Sequence, residues 1–416
     1  EAEASYHRAL QLQPDFPEAL SNLGLTLLKM GRNIEAENCC SEAARLSPNN
    51  SVRLNNYGFL LFTLGKYNLS EEICRKATRC DPLSSYAHNN LANALRELGR
   101  FEEAEASYLR SLKLDKNLAD AHSNLGAVLN NLGRFEESRD ACLHAISLNP
   151  RSHLAHTNLA NALSELGQFR EAEVSHKKAL EIYPDFVEGH SNLGSVLVEL
   201  GKFIEAEETC RFAINLDATF PPAHNNLANA LKEQGKFKDA EAAYKKALEL
   251  KPEFVEAIVN YAIMLQEIRR ITEAEAFFLR ALEYQPDFAK AQVGLSTLKL
   301  LQKDFSGGFQ LYEWRWKTKQ QIGERLETKK PEWSGQHMTD VFVWWEQGIG
   351  DFLMFSSILN EMAGVCRRLI VRCDERLIPI LQRSFADSIK FLPASSIIPE
   401  NQYDYHVPIG SLPKFF

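Results

Sequence analysis

The sequence predicts a mainly α-helical protein, a right-handed solenoid of helix-turn-helix repeats followed by part of an α/β domain. Three observations predict it. Gly31, Gly65, Gly99, Gly133, Gly167, Gly201 and Gly235 stand 34 residues apart, and Asn22, Asn56, Asn90, Asn124, Asn158, Asn192, Asn226 and Asn260 keep the same period. A repeat of that length accommodates two helices and stacks on its neighbours in one dimension. Within each period the apolar residues follow helical spacing, as in Leu227, Ala228 and Leu231. From Val341 onward the pattern changes to short apolar runs that alternate with helical stretches, which predicts parallel strands.

The repeat units are set at 17–50, 51–84, 85–118, 119–152, 153–186, 187–220, 221–254 and 255–288, after a partial unit at 1–16. Ala2 falls 34 residues before Ala36 and no Met opens the chain, so it is expected to begin inside a repeat. The first helix of each unit ends just before the Gly, which can take the left-handed conformation other residues resist. The second runs, for example, from Phe101 to about Leu114, and Pro14, Pro48, Pro82, Pro150, Pro184, Pro252 and Pro286 mark the next turn. Repeats match best two apart: Ala92, Ala160 and Ala228 alternate with Gly126 and Gly194, while Asn93, Asn161 and Asn229 alternate with Ala127 and Ser195.

Composition excludes several classes of function. The 416 residues are 45% hydrophobic and 25% charged, and no run of about 18 apolar residues is present to span a bilayer. A net charge of -8 with interleaved Lys and Glu, as in Glu241 to Lys251, gives no basic surface for nucleic acid. The eight cysteines include no CxxC, and Cys40, Cys74, Cys142 and Cys210 share a core slot with Tyr108, His176, Tyr244 and Phe278. They are read as buried free thiols of a cytoplasmic protein. His88, His122, His156, His190 and His224 lie on separate helices. Helices pack roughly 8–10 Å apart and metal bonds are near 2 Å, so no metal site is expected.

At about 100° per residue, His224, Leu227, Ala228 and Leu231 form the packed side of their helix, and Asn226 and Asn229 point away from it. The eight Asn are therefore expected to line the inner wall as a ladder. Asn is a mediocre helix former, so its presence in every unit asks for another reason. A carboxamide can donate to and accept from the backbone of an extended polypeptide whatever that partner's side chains are.

Residues 1–300 resemble the tetratricopeptide repeat family, and the phrase Asn-Asn-Leu-Ala-Asn-Ala-Leu is similar to the arrays of protein O-GlcNAc transferases. That resemblance implies that Asn22, Asn56, Asn90, Asn124, Asn158, Asn192, Asn226 and Asn260 hold a polypeptide acceptor.

After residue 288 the repeat decays. Arg269 has replaced the turn Gly, Gly294 replaces the ladder Asn, and all five Trp fall in 314–345. Residues 289–338 are expected to form a degenerate capping repeat, with an irregular helix through Tyr312-Glu313-Trp314, and then a polar linker at about 317–338. Trp in this region is expected to pack an interface. The α/β part at 339–416 is expected to contain strands at 341–345, 369–371, 389–392 and 403–407, with helices from Phe352 to Met362 and from Glu375 to Phe385.

The loop Glu346-Gln347-Gly348-Ile349-Gly350-Asp351 follows the first strand, where open α/β sheets place ligands. Leu353 occupies the third Gly position, so the loop is not a dinucleotide fingerprint. By its position Asp351 could simply cap the helix. Residues 341–413 resemble the acceptor-side half of heptosyltransferase-like glycosyltransferases with two Rossmann-like domains, in this loop and in Asp404-Tyr405-His406-Val407-Pro408 with Ser411-Leu412-Pro413. The resemblance implies that Asp351 is a general base in a loop formed with Glu346, Gln347, Gly348 and Gly350. It also implies a nucleotide-sugar donor for a longer protein, because the chain reaches Phe416 after about four strands. The expected function is a scaffold that presents polypeptide to a glycosyltransferase module, and the alternative is a non-catalytic interaction scaffold.

Overall fold

The computed structural model describes residues 2–318, 325–346 and 348–416 and divides into two units, 1–240 and 241–416. In the first unit α1 (Ala2–Leu12) precedes helix pairs. These are α2 (Pro17–Lys29) with α3 (Asn33–Leu46), α4 (Ser51–Thr63) with α5 (Tyr67–Cys80), and α6 (Ser85–Glu97) with α7 (Phe101–Leu114). Next come α8 (Ala119–Asn131) with α9 (Phe135–Leu148), α10 (His153–Glu165) with α11 (Phe169–Ile182), α12 (Val187–Glu199) with α13 (Phe203–Leu216), and then α14 (Pro221–Glu233). Each first helix packs on its own second helix and on the first helix of the following pair.

Local chemistry sets the helix limits. The seven turn glycines have φ between 72 and 76°, a region costly for any residue with a Cβ. Asn50, Ser84 and Ser152 cap first helices by accepting from the backbone N of Arg53, Ala87 and Ala155, and Pro17 and Pro221 open theirs.

The alternation of repeats has a packing cause. A Cβ added to Gly24, Gly58, Gly126 or Gly194 would lie 2.3 to 2.4 Å from the Sγ of Cys40, Cys74, Cys142 or Cys210. Sulfur thus occupies the space that a first-helix methyl would need. Where the first helix carries Ala92, the facing slot holds Tyr108, whose hydroxyl donates to Asn93 Oδ1 at 2.5 Å. Burial pushes each of these four thiols up to about 12. They are neutral packing groups, and all eight cysteines are free.

The second unit takes in most of α15 (Phe237–Leu250), then α16 (Val255–Glu267), α17 (Ile271–Tyr284), α18 (Ala289–Leu301), α19 (Phe305–Tyr312) and a 3₁₀ turn at Glu313–Lys317. Arg269 and Lys303 adopt the left-handed turn conformation without being glycine, at φ 65 and 66°, which costs roughly 1–3 kcal/mol each. The α/β part follows as β1 (Asp340–Trp344), α20 (Ile349–Ser356), α21 (Leu359–Val365), β2 (Arg368–Cys373), α22 (Ile378–Ser384), β3 (Ile389–Pro393) and β4 (Tyr405–Pro408), with a closing 3₁₀ turn at Ile409–Lys414. All strand pairs are parallel, in the order β3-β2-β1-β4.

Two expected elements differ. The helix expected from Phe352 to Met362 is broken into α20 and α21, where the hydroxyls of Ser356 and Ser357 donate back to the carbonyls of Leu353 and Met354 and compete with the helical ladder. The helix expected from Glu375 starts at Ile378, because the Asp374 carboxylate accepts from Arg376 N and holds a turn there.

One face of the sheet, with Val341, Val343, Leu369 and Val371, packs on Phe352, Phe355, Leu359 and Leu381 of the helices. The other face, with Phe342, Trp344 and Ile370, is covered by Trp316, Leu326 and Ile398, so the 3₁₀ turn after α19 and two irregular segments stand in for a second helix layer. Trp344 and Trp333 are buried, and Trp316 lies 5.6 Å from Trp344 between ring centroids. Of the expected linker, residues 319–324 lie outside the described residues.

Gly126→Ala should lower the thermal midpoint followed by circular dichroism, because its methyl must displace Cys142 Sγ at an overpacking cost of about 1–3 kcal/mol. Gly126→Ala combined with Cys142→Ala should recover part of the loss. No recovery in the double variant would locate the strain elsewhere.

Candidate functional site

In the first unit the asparagine row lies on the first helices. Asn22, Asn56, Asn90, Asn124, Asn158 and Asn192 are half-buried, and Asn226 is 9% exposed. The side opposite the second helix is therefore not open solvent, because the flank of the preceding first helix meets it. Asn56 Nδ2 donates to Ser21 Oγ at 2.9 Å and Asn90 Nδ2 to Asn55 Oδ1 at 2.9 Å. Asn158 and Asn226 donate to the carbonyls of Ser123 and Ser191, both at 3.0 Å. Asn124 and Asn192 donate instead to Asn93 Oδ1 at 3.1 Å and Asn161 Oδ1 at 3.3 Å. The acceptor is thus 35 residues back in one set and 31 back in the other, which gives the Asn93 and Asn161 positions of the alternation a structural role.

The amide donors are committed to the neighbouring repeat. The carbonyl ends differ: Asn124 Oδ1 accepts from Arg96 and Asn226 Oδ1 from Asn225. Among the described residues no hydrogen bond reaches Oδ1 of Asn56, Asn90, Asn158 or Asn192. In the second unit Asn260 is 7% exposed and its Oδ1 accepts from Lys290 Nζ at 2.9 Å.

The histidine row is structural. Nε2 of His88, His122, His156, His190 and His224 lies 2.7 to 3.2 Å from the carbonyl six residues earlier. A carbonyl can only accept, so Nε2 carries the proton and ties the preceding turn to the helix. Among the described residues no group of three or more His, Cys, Asp or Glu is placed to hold a metal ion.

In the second unit the strand order reverses at β1, between β2 and β4, and the crevice outside the carboxyl ends of β1 and β4 is where such sheets take ligands. Glu346 enters it and is 4% exposed. Its Oε1 accepts from Gly410 N at 2.8 Å and from Arg315 Nη2 at 2.8 Å. Arg315 also donates to Glu313 at 2.7 Å and to Ser411 Oγ at 2.9 Å, and Lys414 reaches Glu313 at 2.8 Å. Burial pushes the Glu346 carboxyl up and outweighs the opposing pull of Arg315. Burial also acts upward on Glu313, but hydrogen bonds from Lys414, Ser411 and Arg315 together hold it below the usual range.

Asp351 is half-buried and is the third residue of α20. The capping position belongs to Gly348, with φ -61° and ψ 163°, so Asp351 does not cap the helix from that position. A Cβ on Gly348 would lie 3.7 Å from Asp351 Oδ2, while one on Gly350 would meet nothing within 4 Å. Gly348, Gly350 and Asp351 thus cluster at the start of α20, Glu346 turns inward, and Gln347 lies outside the described residues. Glu313 and Ser411 were singled out in the sequence, in the capping helix and beside this loop, but their meeting through Arg315 was not foreseen. The one hint was a charged residue inside the Trp-Arg-Trp apolar stretch.

The tetratricopeptide repeat family matches residues 1–31, 17–50, 73–106, 92–133, 117–185 and 221–254, so the repeats form a tetratricopeptide array, a scaffold suited to protein–protein interaction. The crystal structure of the APC/C hetero-tetramer Cut9-Hcn1 is similar at 16% identity and a TM-score of 0.54, covering 70% of this chain and 56% of that one. The chain thus spans just over half the length of that relative, and at this identity the likeness is one of fold. A thermophilic TPR protein of Thermus thermophilus is similar at 24% identity and TM-score 0.42, over 44% of this chain and 99% of that one. Yeast Tom70 is similar at 16% identity and TM-score 0.44, over 75% and 86%. No curated protein matches the sequence. No helix among the described residues is long and apolar enough to cross a membrane.

Arg315→Met should destabilise the second unit by about 3–5 kcal/mol, since it strands the Glu346 carboxylate inside the fold. Arg315→Met with Glu346→Leu should be closer to wild type. Urea titration of Trp fluorescence reports both, because all five Trp are in 314–345, and equal losses in the single and double variants would show that the pair is not coupled.

Proposed function

We propose that the first-helix face of the array binds an extended polypeptide, and that the α/β segment belongs to a glycosyltransferase-like module that receives it. The observation that carries the first part is the row of carboxamide oxygens on Asn56, Asn90, Asn158 and Asn192, which no neighbour occupies among the described residues while their Nδ2 atoms are fixed. Two pairs of acceptors, each pair held at repeat spacing and the two separated by the occupied Asn124, suit backbone N–H groups, which every non-proline residue of a partner supplies. The second part is supported by the four parallel strands and by Gly348, Gly350 and Asp351 at the carboxyl end of β1. There Asp351 would accept the proton of an acceptor hydroxyl as its oxygen bonds to the sugar and the nucleotide of a nucleotide-sugar donor departs. Eight free cysteines favour a cytoplasmic setting.

A non-catalytic scaffold is the second reading, and one observation favours it: Glu346 and Arg315 fill the crevice between β1 and β4 with their own ion pair.

Replacing Asn56, Asn90, Asn158 and Asn192 together by Ala should weaken binding of unstructured fluorescent peptides at least about tenfold in anisotropy titrations, at roughly 0.5–1.5 kcal/mol per hydrogen bond. Melting of the same variant is recorded in parallel, because the amides also tie neighbouring helices. Lower melting with unchanged affinity would assign the row to holding the repeats together.

In a version of the protein extended downstream until it transfers sugar, Asp351→Asn should lower kcat by about 10²–10⁴-fold. An extended protein that binds nucleotide-sugar and is indifferent to Asp351→Asn would remove Asp351 from the chemistry. One that binds no nucleotide-sugar would establish the scaffold reading.

A further inference from the structure

We infer that the repeat 153–186 is a weak joint built into the array, which opens on mild acidification through His176. Two independent irregularities fall in this one repeat. The first is in the core. The second-helix slot occupied by Cys40, Cys74, Tyr108, Cys142 and Cys210 is fully buried throughout, and His176 fills it at 1% exposure. The polar atom of Tyr108 has Asn93 as its partner. Among the described residues neither Nδ1 nor Nε2 of His176 has any, and Thr157 Oγ1 of the same repeat is also buried without one. Among the described residues no bond joins His176 to Asn161, the counterpart of Asn93, although Asn161 accepts from Asn192 just as Asn93 accepts from Asn124.

The second irregularity is on the surface. A basic residue just after the turn glycine pairs with a glutamate 29 residues earlier at successive junctions: Arg32 with Glu3, Lys66 with Glu37, Arg100 with Glu71, Arg134 with Glu105, Lys202 with Glu173, and Lys236 with Glu207. At the junction leading into 153–186 the two positions are Gln168 and Arg139. No ion pair is possible between them, and Arg139 turns to Asp140 on its own helix.

Burial alone lowers the His176 imidazole to about 4, with no contribution from a charge. The charged and titratable groups of the packed helices do not enter its pocket. His156 on α10, Glu173 and Lys177 on α11 and His190 on α12 are bonded elsewhere, Glu165 and Glu188 are exposed, and the half-buried His153 at the start of α10, whose imidazole burial also lowers, packs on Tyr183 and Phe186. The buried cluster at this repeat, Cys142, Leu159, Ala160, Leu163, Ala172 and Val196, is uncharged, and the Cys142 thiol stays protonated. An opened repeat exposes an ordinary imidazole of pKa near 6.5, so below that pH the open form binds the extra proton and the closed form is progressively lost as pH falls toward 4. Between pH 7.5 and 5.0 this favours opening by about 30-fold.

Hydrogen–deuterium exchange read by mass spectrometry on the whole chain tests this. The quantity is the exchange of amides in 153–186 relative to those in 85–118, the repeat with Tyr108, after correction for intrinsic rates. In the wild type the ratio should rise about 30-fold between pH 7.5 and 5.0. His176→Tyr, which reproduces the pairing of Ala92 with Tyr108, should remove most of the pH dependence and leave only the smaller share of the half-buried His153, and Gln168→Glu, which offers Arg139 a carboxylate, should slow exchange at both pH values without removing the dependence. A wild-type ratio that does not change with pH overturns the inference without any variant. Persistence of the full pH effect in His176→Tyr, or in His176→Phe should the tyrosine variant not fold, overturns the role of His176, and unchanged protection in Gln168→Glu overturns the role of the surface gap.

Discussion

The close approach of two helices at one small-residue slot sets the geometry of the repeats in the first unit. Gly24, Gly58, Gly126 and Gly194 let a cysteine sulfur sit where a methyl would be, and with that contact in place the flanking Leu and Ala positions are sealed from water. Apolar burial contributes about 25 cal/mol per Å², but it does so only when the surfaces touch without voids or overlap. The choice between glycine with cysteine and alanine with a larger ring is therefore a paired choice. The larger ring brings a polar atom that needs a partner, which Tyr108 has and His176, among the described residues, lacks.

Lateral stacking uses a different kind of contact. The asparagine amides bridge one first helix to the preceding one, while Arg and Lys bridge the second-helix side to glutamates of the preceding repeat. The exposed ion pairs are individually weak. The half-buried amide bonds contribute more, since an unmade one would leave a desolvated donor. The same bonds orient the carboxamide oxygens, so the features that stiffen the array and those proposed to bind polypeptide belong to single side chains.

At the other end, the sheet in the second unit is covered by helices on one face only, and Trp316 with Leu326 and Ile398 closes the other. The buried Glu346 is held by Arg315 from the 3₁₀ turn that follows α19. A buried ion pair adds little net stability compared with apolar packing, yet removing one partner is costly. The pair thus enforces one seating of the capping segment on the sheet.

Much of this was legible in the sequence because it is local. The 34-residue period, the left-handed turn at each glycine, the buried cysteine slot and the alternation of strands with helices all follow from backbone preferences and from side chains a few residues apart. The break between α20 and α21 was missed because Ser356 and Ser357 can bond outward or back to the helix, and a pattern of apolar residues does not register which. What the tertiary structure alone decided is where polar groups find partners. Asn158 bonds to a carbonyl 35 residues back, Asn192 to an amide 31 back, and Glu346 to an arginine 31 residues before it. Helical periodicity put the ladder on the side away from the second helix, but whether that side meets water or another helix depends on how repeats stack. Likewise, the loop sequence shows Glu346 beside two glycines, and only the strand order β3-β2-β1-β4 turns it into a crevice that an arginine from outside the sheet can reach.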